Sequence, residues 1–134
     1  LKPLAGDETR PLILERAQLA LASGDNASLR TSADALQTWV ATQPADNPAW
    51  SALAQVWDRL GFKLRAVRAE AEARVAVGDL PGAADRLRAG QRLARGGGNA
   101  DFVEASVIDA RLRTIEAQRK EQAKEMAAGA RGGG

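Results

Sequence analysis

The chain has 134 residues, a net charge of +2 and no His, Cys or Tyr. Without His or Cys it lacks the usual zinc ligands and the usual bases and thiolate nucleophiles of hydrolases, so we expect a non-enzyme with no cofactor and no metal site. Both signs of charge are mixed, and no apolar run approaches the roughly 20 residues that span a bilayer, so neither nucleic-acid binding nor membrane insertion is favoured.

The first two predicted helices follow a linker over residues 1–10. Pro11 suits a first helical turn, and Gly24 ends that helix. Asp25 or Asn26 caps the second helix, which ends at Pro44. The apolar faces of the two helices are Leu12, Leu14, Ala17, Leu19, Ala20 and Leu21, then Leu29, Ala33, Leu36 and Val40 with Trp39 beside them.

Helices three and four are predicted to form a hairpin. Asn47 is the expected N-cap, with Pro48 at the first helical position, and Gly61 ends the third helix. Gly78 ends the fourth. Alanines at alternating spacings of three and four along helix four allow a neighbouring helix to come close. The predicted packing residues are Trp50, Leu53, Trp57 and Leu60 on helix three, and Ala66, Ala69, Ala73 and Ala76 on helix four.

The last two helices are predicted around a glycine hinge, Gly96 to Gly98. Asp79 caps the fifth helix, and Gly90 within it indicates a tight crossing. Asp101 and Glu104 resemble an acidic capping box. We expect a capping helix over 101–126 with a solvated part at 116–125, and a disordered tail at 127–134. The expected apolar positions are Leu80, Ala83, Ala84, Leu87 and Leu93, then Phe102, Ala105, Ile108, Leu112 and Ile115.

Three polar features each have a structural explanation. The glycines at 96–98 follow no strand and precede no Gly-Lys-Ser/Thr, so a hinge is favoured over a phosphate loop. No aromatic residue interleaves the arginines of helix five, so a solvated face is favoured over RNA contact. Capping explains Asp101 and Glu104 better than a carboxylate active site with Asp109 does. The arginines in question are Arg86, Arg88, Arg92 and Arg95.

The segment from Trp50 to Asp79 follows the helix-turn-helix pattern of a tetratricopeptide (TPR) repeat. It predicts an all-α, TPR-like right-handed superhelix of about six antiparallel helices, with repeats over 13–46 and 47–80, a partial unit over 64–95 and the capping helix. Residues 11–126 form this domain. Helix four fits two frames, either closing one unit or opening the next.

TPR domains bind other polypeptides, so the long polar side chains on the inner face are candidate partner-binding residues. The repeat pattern places seven of them there, although a solvated charged face explains the members of helix four equally. The candidates are Ser51, Gln55, Asp58, Arg59, Arg65, Arg68 and Glu72.

Three segments carry a more specific resemblance, namely 65–74, 77–87 and 101–111. Their sequences are RAVRAEAEAR, VGDLPGAADRL and DFVEASVIDAR. Over residues 12–119 the chain resembles the C-terminal TPR domain of bacterial periplasmic zinc metallopeptidases of family M-forty-eight, of the β-barrel assembly-enhancing type. The resemblance implies a periplasmic location, a peptidase domain with a His-Glu-x-x-His helix on the N-terminal side, and contacts with outer-membrane assembly proteins and misfolded clients.

The resulting hypothesis is a non-catalytic protein-interaction domain of such a metallopeptidase, whose partners are a protein or peptide and its own peptidase domain. A stand-alone TPR scaffold or co-chaperone is the alternative. A nucleic-acid-binding regulator is kept as a third class only because of the basic isoelectric point.

Overall fold

The computed structural model describes residues 9–96 and 101–132, and these residues form six α-helices. The helices are α1 (Arg10–Ser23), α2 (Asn26–Thr42), α3 (Asn47–Arg59), α4 (Lys63–Ala76), α5 (Leu80–Gly96) and α6 (Phe102–Gly132). The described residues contain no strand, so the all-α prediction is confirmed. Most of the linker at 1–10, and Gly97 and Gly98 of the predicted hinge, lie outside the described residues.

Glycine and aspartate residues lie at the helix ends largely as predicted. Gly24, Gly61 and Gly78 follow α1, α3 and α4 with φ of 71°, 89° and 81°, a region that side chains with a Cβ avoid. Asp25 caps α2 by accepting from the Ser28 amide at 2.9 Å. Asp79 caps α5 in the same way through the Gly82 amide at 2.9 Å.

The predicted cap of α3 was wrong by one residue. Asp46, not Asn47, is the N-cap, because its carboxylate accepts from the Ala49 amide at 3.2 Å. The same carboxylate accepts from Arg10 Nε at 2.6 Å and from Trp39 Nε1 at 2.8 Å. Hydrogen bonds from Arg10 hold the pKa of Asp46 well below its usual range, at about 2. Asn47 instead donates to the Ala73 carbonyl at 2.7 Å, which ties α3 to α4.

Two hydrophobic clusters meet at α4. The first joins α1, α2 and α3 to the alanine stripe of α4, and it contains Trp50 and Trp57 as predicted. The second joins the opposite side of α4, at Leu64 and Ala71, to α5 and α6. Helix α4 is thus buried on two sides, and its small alanine side chains allow the neighbouring helices to come close, as the sequence predicted. Trp39 is half-buried against the first cluster.

Several predicted core positions are exposed instead. Leu12 and Leu19 on α1, Leu93 on α5 and Phe102 on α6 all face solvent. On α1 the buried stripe is Ile13, Ala17 and Ala20, so each exposed leucine lies one residue away from the face that packs. Residues 127–132, which were predicted to belong to a disordered tail, are part of α6, while residues 133 and 134 of that tail lie outside the described residues. The alanines and arginine of this segment favour helix, which extends an already nucleated helix at little cost.

Contacts between alternate helices do not follow one repeat frame. Consecutive helices pack throughout, and α1 also contacts α3 while α4 also contacts α6. Among the described residues, however, no Cα atom of α2 lies within 8 Å of α4, and none of α3 lies within 8 Å of α5. Helix α4 thus closes one set of helices and opens the next. The right-handed superhelix stays a prediction.

Candidate functional site

The candidate residues on α3 lie on its exposed side. Gln55, Asp58 and Arg59 are exposed, and Ser51 is partly exposed. Arg59 Nη1 donates to the Leu21 carbonyl at 3.0 Å, so this side chain reaches α1. Asp58 accepts from Lys63 Nζ at 2.8 Å. Ser51 lines a shallow cleft of about 320 Å³ beside the α4–α5 turn.

Two candidates on α4 hold α6 in place. Glu72 accepts two hydrogen bonds from Arg111, at 2.5 Å from Nε and 2.8 Å from Nη2. These bonds raise the pKa of the Arg111 guanidinium. Arg68 forms an ion pair with Glu104, whose side chain is 8% exposed, and its guanidinium also lies over the Trp57 ring. Both acid–base pairs join α4 to α6, so Arg68 and Glu72 already have partners within the chain.

The structure therefore gives the seven candidates different neighbours. Arg59 reaches α1 and Ser51 lies beside the α4–α5 turn, whereas Arg68 and Glu72 reach α6. Of the charged candidates on α4, Arg65 alone forms no ion pair with another described residue.

Arg65 belongs to a cluster that the sequence did not reveal. Its guanidinium carbon lies 4.8 Å from the centroid of the Phe62 ring, and that of Arg30 lies 5.7 Å from the same centroid. We call Arg30, Phe62 and Arg65 the Phe62 cluster. Guanidinium groups at this distance are attracted by the electron-rich ring face. Within the described parts of the chain, neither arginine forms an ion pair with a carboxylate.

The Phe62 cluster connects α2 and α4, between which no two Cα atoms lie within 8 Å. Arg30 extends from α2 and Arg65 from α4, and both helices pack on α3. Phe62 lies in the α3–α4 turn, where its amide donates to the Trp57 carbonyl at 2.9 Å and its ring packs against the first hydrophobic cluster. The turn thus fixes the ring, which lies beside one guanidinium group from α2 and one from α4.

Sequence reasoning missed Arg30 and Phe62 for different reasons. Arg30 is an exposed residue of α2, and nothing in its sequence neighbourhood distinguishes it from other surface arginines. Phe62 follows the glycine that ends α3, and an aromatic residue directly after a helix-ending glycine is a signal that could have been used. The encounter of the two side chains depends on the packing of α2 against α3.

The remaining polar features have partners inside the fold. Arg86 and Arg88 form ion pairs with Glu70 and Glu116 on neighbouring helices, so two arginines of the predicted solvated face join helices instead. Arg92 and Arg95 are exposed. On α6, Asp101 accepts from the Glu104 amide at 3.1 Å, as a cap does, and Asp109 accepts from Gln91 at 2.8 Å.

Within residues 9–96 and 101–132, no group of three or more Asp, Glu, His or Cys side chains has an arrangement that could hold a metal ion. No helix in these ranges combines the length and apolar character needed to cross a bilayer. A cleft of about 560 Å³ lies between the outer sides of α1 and α2, where Leu19 is exposed.

Comparison of the chain with protein-family models, with curated proteins and with solved structures gives no match.

Proposed function

We propose that this chain is a protein-interaction domain that binds a polypeptide partner at the surface containing the Phe62 cluster. The observation that carries the proposal is that two guanidinium groups are held beside a fixed aromatic ring without a carboxylate partner among the described residues. Arginine and aromatic side chains are enriched in the parts of protein surfaces that contribute most to binding.

The finer proposal is a TPR-like superhelix serving as the non-catalytic domain of a periplasmic metallopeptidase, with client or outer-membrane assembly proteins as partners. Its support is the α3–α4 hairpin, in which Trp50 and Trp57 are buried and Gly61 makes the turn, as the repeat pattern requires. The resemblance of segments 65–74, 77–87 and 101–111 supports the metallopeptidase and the periplasmic location.

Binding of an unfolded outer-membrane β-barrel protein tests the interaction. The fluorescently labelled probe is diluted from urea into solutions of the pure chain, and fluorescence anisotropy reports binding. A photoreactive residue in place of Arg65 should cross-link to the probe, whereas the same residue in place of Lys120, exposed on the far part of α6, should not. Equal cross-linking at the two positions, or no binding, would refute the proposal.

The metallopeptidase assignment has its own test. The reading frame upstream of the codon for Leu1 should encode a His-Glu-x-x-His helix, and the purified peptidase domain should bind this chain in calorimetry. If the probe binds but no such helix is encoded, a stand-alone scaffold or co-chaperone is the better description.

A further inference from the structure

We propose that the Phe62 cluster is a binding site for carboxylate side chains of an acidic polypeptide segment. This inference rests on the proposed function and specifies the chemistry of the partner. Its basis is the geometry and charge around Arg30, Phe62 and Arg65. No prediction from the sequence had placed these three residues together.

The geometry of the Phe62 cluster suits carboxylates. A guanidinium group that lies over an aromatic ring keeps its N–H edge free, and that edge can donate two parallel hydrogen bonds to one carboxylate. The two guanidinium carbons lie 5.7 and 4.8 Å from the same ring centroid. Side chains on one edge of an extended peptide repeat about every 7 Å, so two acidic residues of one short segment can reach two guanidinium groups that share one ring.

The surrounding charges favour a negatively charged partner. Arg59, at the end of α3, donates to a main-chain carbonyl and forms no ion pair with another described residue. Lys63 is neutralised by Asp58. Asp34 lies one turn beyond Arg30 on α2, is exposed, and forms no ion pair with Arg30. Arg30 and Arg65 form no ion pair with another described residue, so their positive charges attract an acidic segment and align it before contact.

The same geometry disfavours single-stranded nucleic acid. Sequence-tolerant binding of single strands needs aromatic faces on which bases stack. Arg30 and Arg65 lie over the ring of Phe62 and compete with a base for that surface. Carboxylates need only the outer edges of the guanidinium groups, which remain available.

A peptide titration with matched variants tests the site. The probe is a fluorescein-labelled peptide of alternating Glu and Ser, and the reference peptide has Gln at each Glu. The test variant is Arg30→Gln/Arg65→Gln. The control is Arg92→Gln/Arg95→Gln, which removes the same charge from exposed positions of α5. We expect the test variant to weaken binding of the acidic peptide about fivefold or more, and the control less than about twofold.

A third variant, Arg30→Lys/Arg65→Lys, keeps the charge but removes the planar guanidinium groups. It should bind with an affinity between those of the wild type and the Gln variant. Thermal unfolding of all variants should match the wild type, since Arg30 is exposed and Arg65 partly so.

Three outcomes would overturn the inference. In the first, the Glu and Gln peptides bind alike. In the second, the test and control variants lose the same affinity. In the third, oligo-dT binds more tightly than the acidic peptide and is lost in the test variant, which would assign the cluster to phosphate. If the wild-type chain binds the β-barrel probe and cross-links to it at position 65 in any of these cases, the inference fails while the proposed function stands. Failure of the wild-type chain to bind the β-barrel probe as well would refute both.

Discussion

Replacement of Gly90 by Ala tests how closely α4, α5 and α6 pack where they cross. A Cβ at Gly90 would lie 3.0 Å from Val67 Cγ1 and 3.1 Å from Ile108 Cδ1. Alanine is favoured over glycine within a helix by about 1 kcal/mol, whereas overpacking a core costs about 1–3 kcal/mol. Buried Val67 has essentially one side-chain rotamer on a helix and cannot move away. We therefore expect Gly90→Ala to lower the free energy of unfolding by about 1 kcal/mol, or roughly 3 °C in Tm.

A second variant separates the helix preference of alanine from the cost of overpacking. Val67→Ala removes the atom closest to the new methyl group, while the terminal methyl of Ile108 can rotate. In that background Gly90→Ala should stabilise the fold by about 0.5–1 kcal/mol, because the helix preference remains and part of the cavity is filled. The two substitutions should therefore be coupled by at least about 1.5 kcal/mol.

Urea unfolding followed by far-UV circular dichroism measures each free energy. Gly129→Ala is the control, because a Cβ at Gly129 meets no atom within 4 Å and only the helix preference acts there. The reasoning about a tight crossing is refuted if Gly90→Ala stabilises the otherwise unchanged chain, or if its effect is the same in both backgrounds.

Three further predictions concern the two hydrophobic clusters and the polar contacts that join their helices. Trp57→Ala should cost about 3–5 kcal/mol, since the side chain is buried, and a Tm within about a degree of the wild type would contradict this. The lowered pKa of Asp46 stabilises the fold by about 2.5 kcal/mol at pH values above the pKa of the unfolded state, and this contribution is lost as pH falls from about 5 to about 2. Asp46→Asn should abolish that part of the acid dependence, measured by thermal unfolding across pH, and Arg10→Gln should reduce it; an unchanged profile in Asp46→Asn would exclude this carboxylate. Glu72→Gln should loosen α6 and speed hydrogen exchange of its amides near Arg111, while exchange in α2 stays unchanged; equal acceleration in both helices would mean global destabilisation instead.

The sequence alone predicted most local boundaries. Most helix ends that depend on a short-range feature were identified, including the glycines after α1, α3 and α4 and the cap Asp79, and Asp25 was one of the two caps considered for α2. Such features act within a few residues, so their chemistry is visible in the sequence. The exception is Asp46, whose choice as cap over Asn47 coincides with bonds to Arg10 and Trp39 from elsewhere in the chain.

Helix faces were harder to predict than helix ends. Leu19 and Phe102 belong to apolar stripes in the sequence, yet both are exposed because their helices pack with a slightly different face inward. A broad apolar face does not define which of its residues contact a neighbouring helix. The contacting residues depend on how two helices cross, and the residue spacing within one helix does not determine that crossing.

The candidate site shows the same limit. The sequence indicated that long charged side chains on α3 and α4 were available, and it included Arg65. It could not show that Arg68 and Glu72 form ion pairs with α6, or that Arg30 meets Phe62. The identity of a charged residue is local, but whether its charge is neutralised depends on residues distant in sequence. The tertiary structure therefore decided which arginines remain free to contact a partner.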